Sequence, residues 1–256
     1  MGENSKREKI KRLLNKSLFG QNLLNFLRKL KNIWYKCGPY NIKGEGNKVI
    51  LVSADGTEKV LKKYHRIPNL NIFIAGNGNT IRISDKANFM NICIIRLDRC
   101  NDANIEIQEN KKIIDLFIHA VDANDISALW GEESITMGTE IIMNESNAGI
   151  IIGKFCMFAK GTVIFTMDTH SIFDAETKKL LNRITQPVVI GEHCWIGRNA
   201  LLLKNTSLAD NTIVGAGSVV TKKFAEPNTI IAGNPAKVIK TNVSFSIIRP
   251  NLYEEE

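Results

Sequence analysis

From position 190 an aliphatic side chain returns at every sixth residue: Ile190, Ile196, Leu202, Leu208, Val214 and Val220. Four residues after each comes a small side chain, Cys194, Ala200, Thr206, Thr212 and Ser218, until Phe224 ends the rule. Glycine or alanine often follows directly, as at Gly191, Gly197, Ala209 and Gly215. A unit this short cannot bury an apolar face alone, so successive units must stack and share one interior.

Each hexapeptide reads as one short flat strand plus a corner, and three of them close a triangular coil. Coils stack at about 4.8 Å, so that backbone amides bond to the coil above or below and the aliphatic positions form interior ladders. Small residues belong where the corner leaves no room. The expected class is therefore mainly β, a parallel β-helix of hexapeptide repeats.

Upstream the rhythm weakens. Ile152, Phe158 and Ile164 keep the six-residue step, with Cys156 and Thr162 in the small position, and Ile135 with Ile141 is expected to form an earlier coil. Residues 69–126, rich in Ile and Asn as in NLNIFIAGNGNTIRI and DANIEIQ, are expected to give irregular strands that begin the same stack. Ile164 and Ile190 lie 26 positions apart, two more than four hexapeptides, so an excursion over 170–187 must leave the ladder. Its polar content, Asp174, Glu176, Lys178, Lys179 and Arg183, suits a surface loop. Loops on rigid scaffolds tend to carry function.

The charge is segregated. Residues 1–36 hold ten Lys and Arg against two Glu, which equals the whole chain's net charge of +8 and leaves the body neutral. Ile10, Leu13, Leu14 and Leu18, then Leu23, Leu27, Leu30 and Trp34, draw apolar stripes at helical spacing on this basic segment. A basic amphipathic helical arm fits the headgroup boundary of an anionic membrane better than a nucleic-acid groove. Docking onto the chain's own body or a sister subunit is the other open reading. The expected division is an arm over 1–36, irregular strands and first coils over 37–134, the β-helix core over 135–240 and a tail over 241–256.

No apolar run approaches the roughly 20 residues needed to span a bilayer. The expected location is the cytoplasm, with the arm available to the inner membrane face. The five cysteines, Cys37, Cys93, Cys100, Cys156 and Cys194, form no CxxC pair, so neither a disulfide framework nor a cysteine zinc site is expected.

Of the four histidines, His65, His119, His170 and His193, the third begins the excursion in Met167-Asp168-Thr169-His170-Ser171. An imidazole there can face a cleft while the ladder holds its backbone, and its ordinary pKa of about 6.5 suits a general base. Asp168, two residues earlier, is placed to orient the ring or raise its basicity.

The segments IGEHCWIGRNA, IVGAGSVVTKK and AGNPAKVIK within 188–240 resemble the C-terminal half of hexapeptide-repeat acyltransferases, which include galactoside, nodulation, xenobiotic and serine acetyltransferases. With Asp168-Thr169-His170-Ser171 before the excursion and Trp195 after it, the pattern is similar to polysialic acid and other capsule-sugar O-acetyltransferases. The resemblance extends well over 135–240, poorly over 45–134 and not at all over the first 36 positions. It implies a left-handed coil and a homotrimer in which acetyl-CoA lies in the groove between neighbouring β-helices.

By matched motif His170 is the implied base, and Trp195 borders the thioester or the sugar. Arg198 and Ala216 meet the pantetheine arm, while Thr221, Lys222 and Lys237 hold the nucleotide end. Gly215 and Gly217 fit a close backbone approach. Relatives place arginine where Lys237 stands, so a simple charge contact replaces a bidentate grip here. The implied reaction is direct transfer of acetyl to a carbohydrate acceptor.

Three other readings stay open at this point. A small-molecule acceptor such as serine, a xenobiotic or a nucleotide sugar is one, and a non-catalytic assembly module is another. The third, a zinc enzyme of the γ-carbonic-anhydrase kind, requires three converging histidines, which the spacing here disfavours. Cysteine as nucleophile is disfavoured because Cys156 and Cys194 fall at the inward small position.

Overall fold

The structure, a computed structural model, describes residues 40–62, 65 and 67–254. The basic segment 1–36 lies outside the described residues. The chain is a left-handed parallel β-helix, and apart from one short 3₁₀ turn at Pro250–Leu252 every regular element described is a strand.

Over 149–224 the coil is the triangular prism that the six-residue step requires. The first face stacks Met157–Phe158, Trp195–Ile196, Ile213–Val214 and Ile230–Gly233. The second stacks Thr162–Phe165, Leu201–Leu202 and Val219–Val220. The third stacks Gly149–Ile152, Val188–Ile190, Ser207–Leu208 and Lys223–Phe224. Each interior column therefore returns after three hexapeptides, as in Ile190 over Leu208, Ile196 over Val214 and Leu202 over Val220. All six are buried, as are the small residues Cys194, Ala200, Thr206, Thr212 and Ser218. Thr162, Thr206 and Thr212 satisfy their hydroxyls on the carbonyls three residues back (2.7–2.9 Å), so the polar atom is paired inside the corner. Asn199, Asn205, Asn211 and Asn228 occupy left-handed corner positions, a conformation asparagine tolerates.

Before residue 149 the coil is built differently, and the irregular strands expected there are regular. One sheet stacks Tyr40–Lys43, Leu70–Ala75, Cys93–Asp98, Ile113–Val121 and Ile135–Ile142. The other stacks Lys48–Val52, Thr80–Ser84, Asn104–Ile107, Ser127–Trp130 and Gly149–Ile152. These longer strands alternate buried and outward side chains, as over Leu70–Ala75 and Cys93–Asp98. Each step along the column Ile81, Ile105, Ala128 and Ile150 is longer than three hexapeptides. Both sheets run without a break into the triangular part.

The three-way division is already present at Ile113–Val121, which pairs with Phe89–Met90 through its start and with Cys93–Asp98 through its later residues, and the next strand keeps it. Ile135–Ile142 pairs with Met157–Phe158 through its first half and with Thr162–Phe165 through its second. Gly138, at φ +130°, turns the corner between them. Here one expectation fails: Ile135 is not an inward rung. It pairs with Met157, which precedes the buried Phe158, and the inward position is Thr136. Thr136 and Ile141 are one position closer than a hexapeptide step, so the six-residue phase does not extend back across Gly138.

The excursion is larger than the spacing alone implied. Ile152 lies directly beneath Ile190, and Ile164 directly beneath Leu202, so Ile164 and Ile190 are consecutive rungs. All the chain between them beyond one ordinary step therefore leaves the stack. It forms an arm closed by Phe173 bridging Leu180 and by Leu181 N–H donating to Ile172 O (2.8 Å). Glu58–Val60 and Ala236–Lys240 pair antiparallel near the two ends of the stack, covering sheet edges. Phe224 breaks the small-residue rule because the last coil is two residues short, so it takes the rung above Leu208.

Candidate active site

The residues singled out by sequence fall on two corners of the prism and one face. At the corner between the second and third faces, the arm leaves the stack directly after Phe165. Thr166 is anchored by its N–H and its hydroxyl to Ile142 O, both at 3.1 Å. Met167 is buried, Asp168 half-buried, and His170 exposed. The His170 imidazole makes no hydrogen bond or ion pair among the described residues. Its backbone is held: Asn182 Nδ2 donates to His170 O at 2.8 Å.

The expected contact from Asp168 to the His170 ring is absent. The Asp168 carboxylate instead receives Asn182 Nδ2 at 2.8 Å and pairs with Lys204 Nζ at 2.7 Å. Lys204, only 14% exposed and one coil further on, also donates to Asn182 O. Asn182 Oδ1 accepts from Ile172 N–H at 2.9 Å. Burial pushes the Asp168 carboxyl up, but the hydrogen bonds from Lys204 and Asn182 and the lysine charge outweigh it and hold the group below the usual carboxylate range. Asp168 thus clamps both legs of the arm to the stack and fixes the backbone that carries His170. Asn182 and Lys204 were not found from sequence. Asn182 is one polar residue in a polar loop, and Lys204 sits at an ordinary corner position.

Thr221 and Lys222 occupy the same corner one coil beyond Lys204, both exposed, with Lys222 Nζ 5.6 Å from the centre of the Phe224 ring. The corner between the first and second faces carries the other group. Arg198 is exposed, its carbonyl accepting from Gly217 N–H (2.8 Å) in the next coil. Gly215 and Ala216 stack above it, and a Cβ on Gly215 would stand 2.9 Å from the Ala232 Cβ. Gly217 faces open space, and glycine serves there for its φ of +68°. Lys237 lies on the closing antiparallel strand, paired with Ala232, and so stands beside this corner. Arg198, Lys222 and Lys237 have no ion pair among the described residues, which leaves three exposed cations suited to phosphates.

The two corners are separated by the second face, whose outer side shows half-buried Val163, Leu201 and Val219. One chain therefore brings Arg198, Gly215, Ala216 and Lys237 together, and Asp168, His170, Thr221 and Lys222 together, but not the two groups. Trp195 stands on the first face, 40% exposed.

Cys156 and Cys194 are fully buried free thiols on adjacent coils, and the Cys194 thiol is pushed far up by its hydrogen bond with Cys156 and by burial. Neither is available as a nucleophile in this fold. Among the described residues no three His, Cys, Asp or Glu side chains cluster as metal ligands, and no helix is long and apolar enough to cross a membrane.

Residues 187–222 match the bacterial transferase hexapeptide family (six repeats). A polysialic acid O-acetyltransferase of Neisseria meningitidis is 32% identical over 179 residues, 66% of this chain and 76% of that protein. A polysialic acid O-acetyltransferase of Escherichia coli O1:K1 is 31% identical over 113 residues, covering 44% of this chain and only 36% of that longer protein. Among solved structures, the polysialic acid O-acetyltransferase OatWY superposes with a TM-score of 0.60 at 25% identity, over 82% of this chain and 92% of its own. The polysialic-acid-specific acetyltransferase NeuO, at 22% identity and a TM-score of 0.56, shows the same fold over 82% of this chain and 89% of its own. The prism, its repeat and a relative matched over three quarters of its length agree: the chain belongs to the hexapeptide-repeat acyltransferase family.

Proposed function

We propose that this protein is an acetyl-CoA-dependent O-acetyltransferase acting on a sugar hydroxyl of a capsular or surface polysaccharide, with acidic polymers such as polysialic acid as the leading acceptor class. The observation that carries the reading is His170, an exposed imidazole on a backbone clamped by Asp168, Asn182 and Lys204. A base held this way can reach a hydroxyl without first being freed from a protein partner.

Acetyl-CoA supplies an activated acetyl thioester. Arg198, Gly215 and Ala216 line its pantetheine side, and Lys222, Lys237 and Thr221 hold its phosphates by charge and hydrogen bonding. His170 takes the proton of the acceptor hydroxyl as that oxygen attacks the thioester carbonyl, a backbone amide of the following coil receives the developing oxyanion, and its collapse breaks the C–S bond, the imidazolium returning the proton to the departing thiolate. Transfer is direct, with no acyl-enzyme, in keeping with the burial of both core thiols.

The separation of the two residue groups by the second face supports a homotrimer. In such an assembly the His170 corner of one subunit closes against the Arg198 corner of its neighbour. The apolar side chains exposed on the arm, Ile172, Phe173 and Leu181, are suited to that junction. The basic segment 1–36 would then bring the assembly to an anionic membrane surface where lipid-linked sugars are made.

The test is incubation with acetyl-CoA and a panel of sugars and sialic acid oligomers, following release of free thiol. Acceptor-dependent thiol release is expected, and its absence across the panel would overturn the reading.

A further inference from the structure

Residues 241–245 turn back along the outside of the stack. Val243 N–H donates to Asn228 O at 3.0 Å, and two residues on Phe245 reaches the coil of His193. Its ring stacks on the imidazole with centroids 4.2 Å apart and planes within 5°, and tilts against the Trp195 indole at 5.8 Å and 45°. Offset stacks and tilted pairs at these distances are the favoured aromatic geometries.

His193, Asn211 and Asn228 hold the same left-handed corner position in successive coils, two residues before Trp195, Ile213 and Ile230. His193 is fixed on a second side by Asn211, with Nδ1 and Oδ1 2.7 Å apart. The corner thus gives Phe245 a rigid platform, and Phe245 in turn gives Trp195 a lateral wall. Along the face Trp195 otherwise has Met157 and Ile213 beside it. Among the described residues no hydrogen bond, ion pair or ring contact joins Phe245 to Arg198, Gly215, Ala216, Thr221, Lys222 or Lys237.

We propose that Phe245 is a positioning residue: the C-terminal strap sets the orientation of the Trp195 indole and so governs affinity for the sugar acceptor without affecting the acetyl donor. This rests on the proposed function and takes Trp195, which the resemblance sets beside the thioester or the sugar, as standing on the sugar side. With Phe245 beside it Trp195 remains 40% exposed, which leaves indole surface for the C–H groups of a pyranose ring. Released, it samples other rotamers and must be ordered again when acceptor binds.

The experiment compares F245A, F245L and F245Y in the full chain. It reads KM for a sialic acid oligomer and for acetyl-CoA, melting temperature, and acrylamide quenching of tryptophan fluorescence with W195F as background. F245A and F245L should raise the acceptor KM about tenfold, leave the acetyl-CoA KM within twofold, and make Trp195 more quenchable. F245Y should restore both readouts, and F245L guards against an F245A chain that fails to fold. Unchanged quenching in F245A and F245L, or an equal rise in both KM values, would overturn the proposal. Absence of transfer by the wild-type chain would overturn the functional reading instead, while the quenching arm still decides whether the strap holds the indole.

Discussion

The Asp168 carboxylate and the Lys204 ammonium lie 2.7 Å apart on successive coils, and this pair fastens the excursion to the prism. Its geometry has a pH consequence. The folded carboxyl titrates below its ordinary value of about 3.9. The ionised form is therefore the stabilised one, so the clamp's contribution is complete above that ordinary value and is lost as pH falls through the folded pKa. Limited proteolysis should show the 170–187 arm resistant at pH 7 and increasingly cut below about pH 4.

Lys204→Met removes the cation and leaves a half-buried carboxylate with one donor. Because the Asp168 carboxylate is partly solvated, local opening of the arm should become easier by only about 1 kcal/mol, with protease sensitivity already visible at pH 7. Acetyl transfer should fall while the melting temperature drops by only a few degrees. A K204M chain with wild-type arm protection would contradict the clamp.

The interior ladder sets overall stability. Leu202 is fully buried between Ile164 and Val220 in one column. Leu202→Ala should cost about 2–5 kcal/mol in equilibrium denaturation. Leu201→Ala, on the outer side of the same strand, should cost far less in the isolated subunit.

Gly197 has a steric role that its neighbours share. A Cβ there would stand 2.5 Å from Val214 O and 2.6 Å from Ala216 N, both backbone atoms. Gly197→Ala must displace the corner carrying Arg198 and Ala216, at a cost of about 1–3 kcal/mol, and should weaken CoA binding measured by calorimetry.

The triangular half was legible because each hexapeptide is a complete rung, so Ile190 to Val220 announce themselves one by one. The earlier half was not, because its strands alternate with period 2 and its coils are longer than three hexapeptides and unequal among themselves. Ile135 was misassigned for a local reason: Gly138 shortens one step by a single position, and a slip of one turns an inward side chain outward. His170 could be found from its place before the excursion, whereas Asn182 and Lys204 could not. Their roles arise from contacts with Asp168 across the root of the arm and across a coil, which no local pattern encodes. Phe245 was likewise invisible, since nothing in the tail's composition shows that it doubles back onto His193.

The proposal that the Arg198 corner holds the donor can be tested through its charge. Arg198→Ala and Lys237→Ala should each raise the acetyl-CoA KM several-fold with little change in kcat, and the effect should shrink with added salt. Lys237→Arg should preserve affinity. A fall in kcat at unchanged KM would place these residues outside the donor site.

The most direct measurement is steady-state acetyl transfer by His170→Ala beside calorimetric CoA binding on the same preparation. The expected result is a loss of roughly 100- to 10,000-fold in kcat, with CoA affinity and melting temperature close to wild type. Retention of most of the wild-type rate by a folded, CoA-binding variant would contradict an imidazole base at the root of the arm.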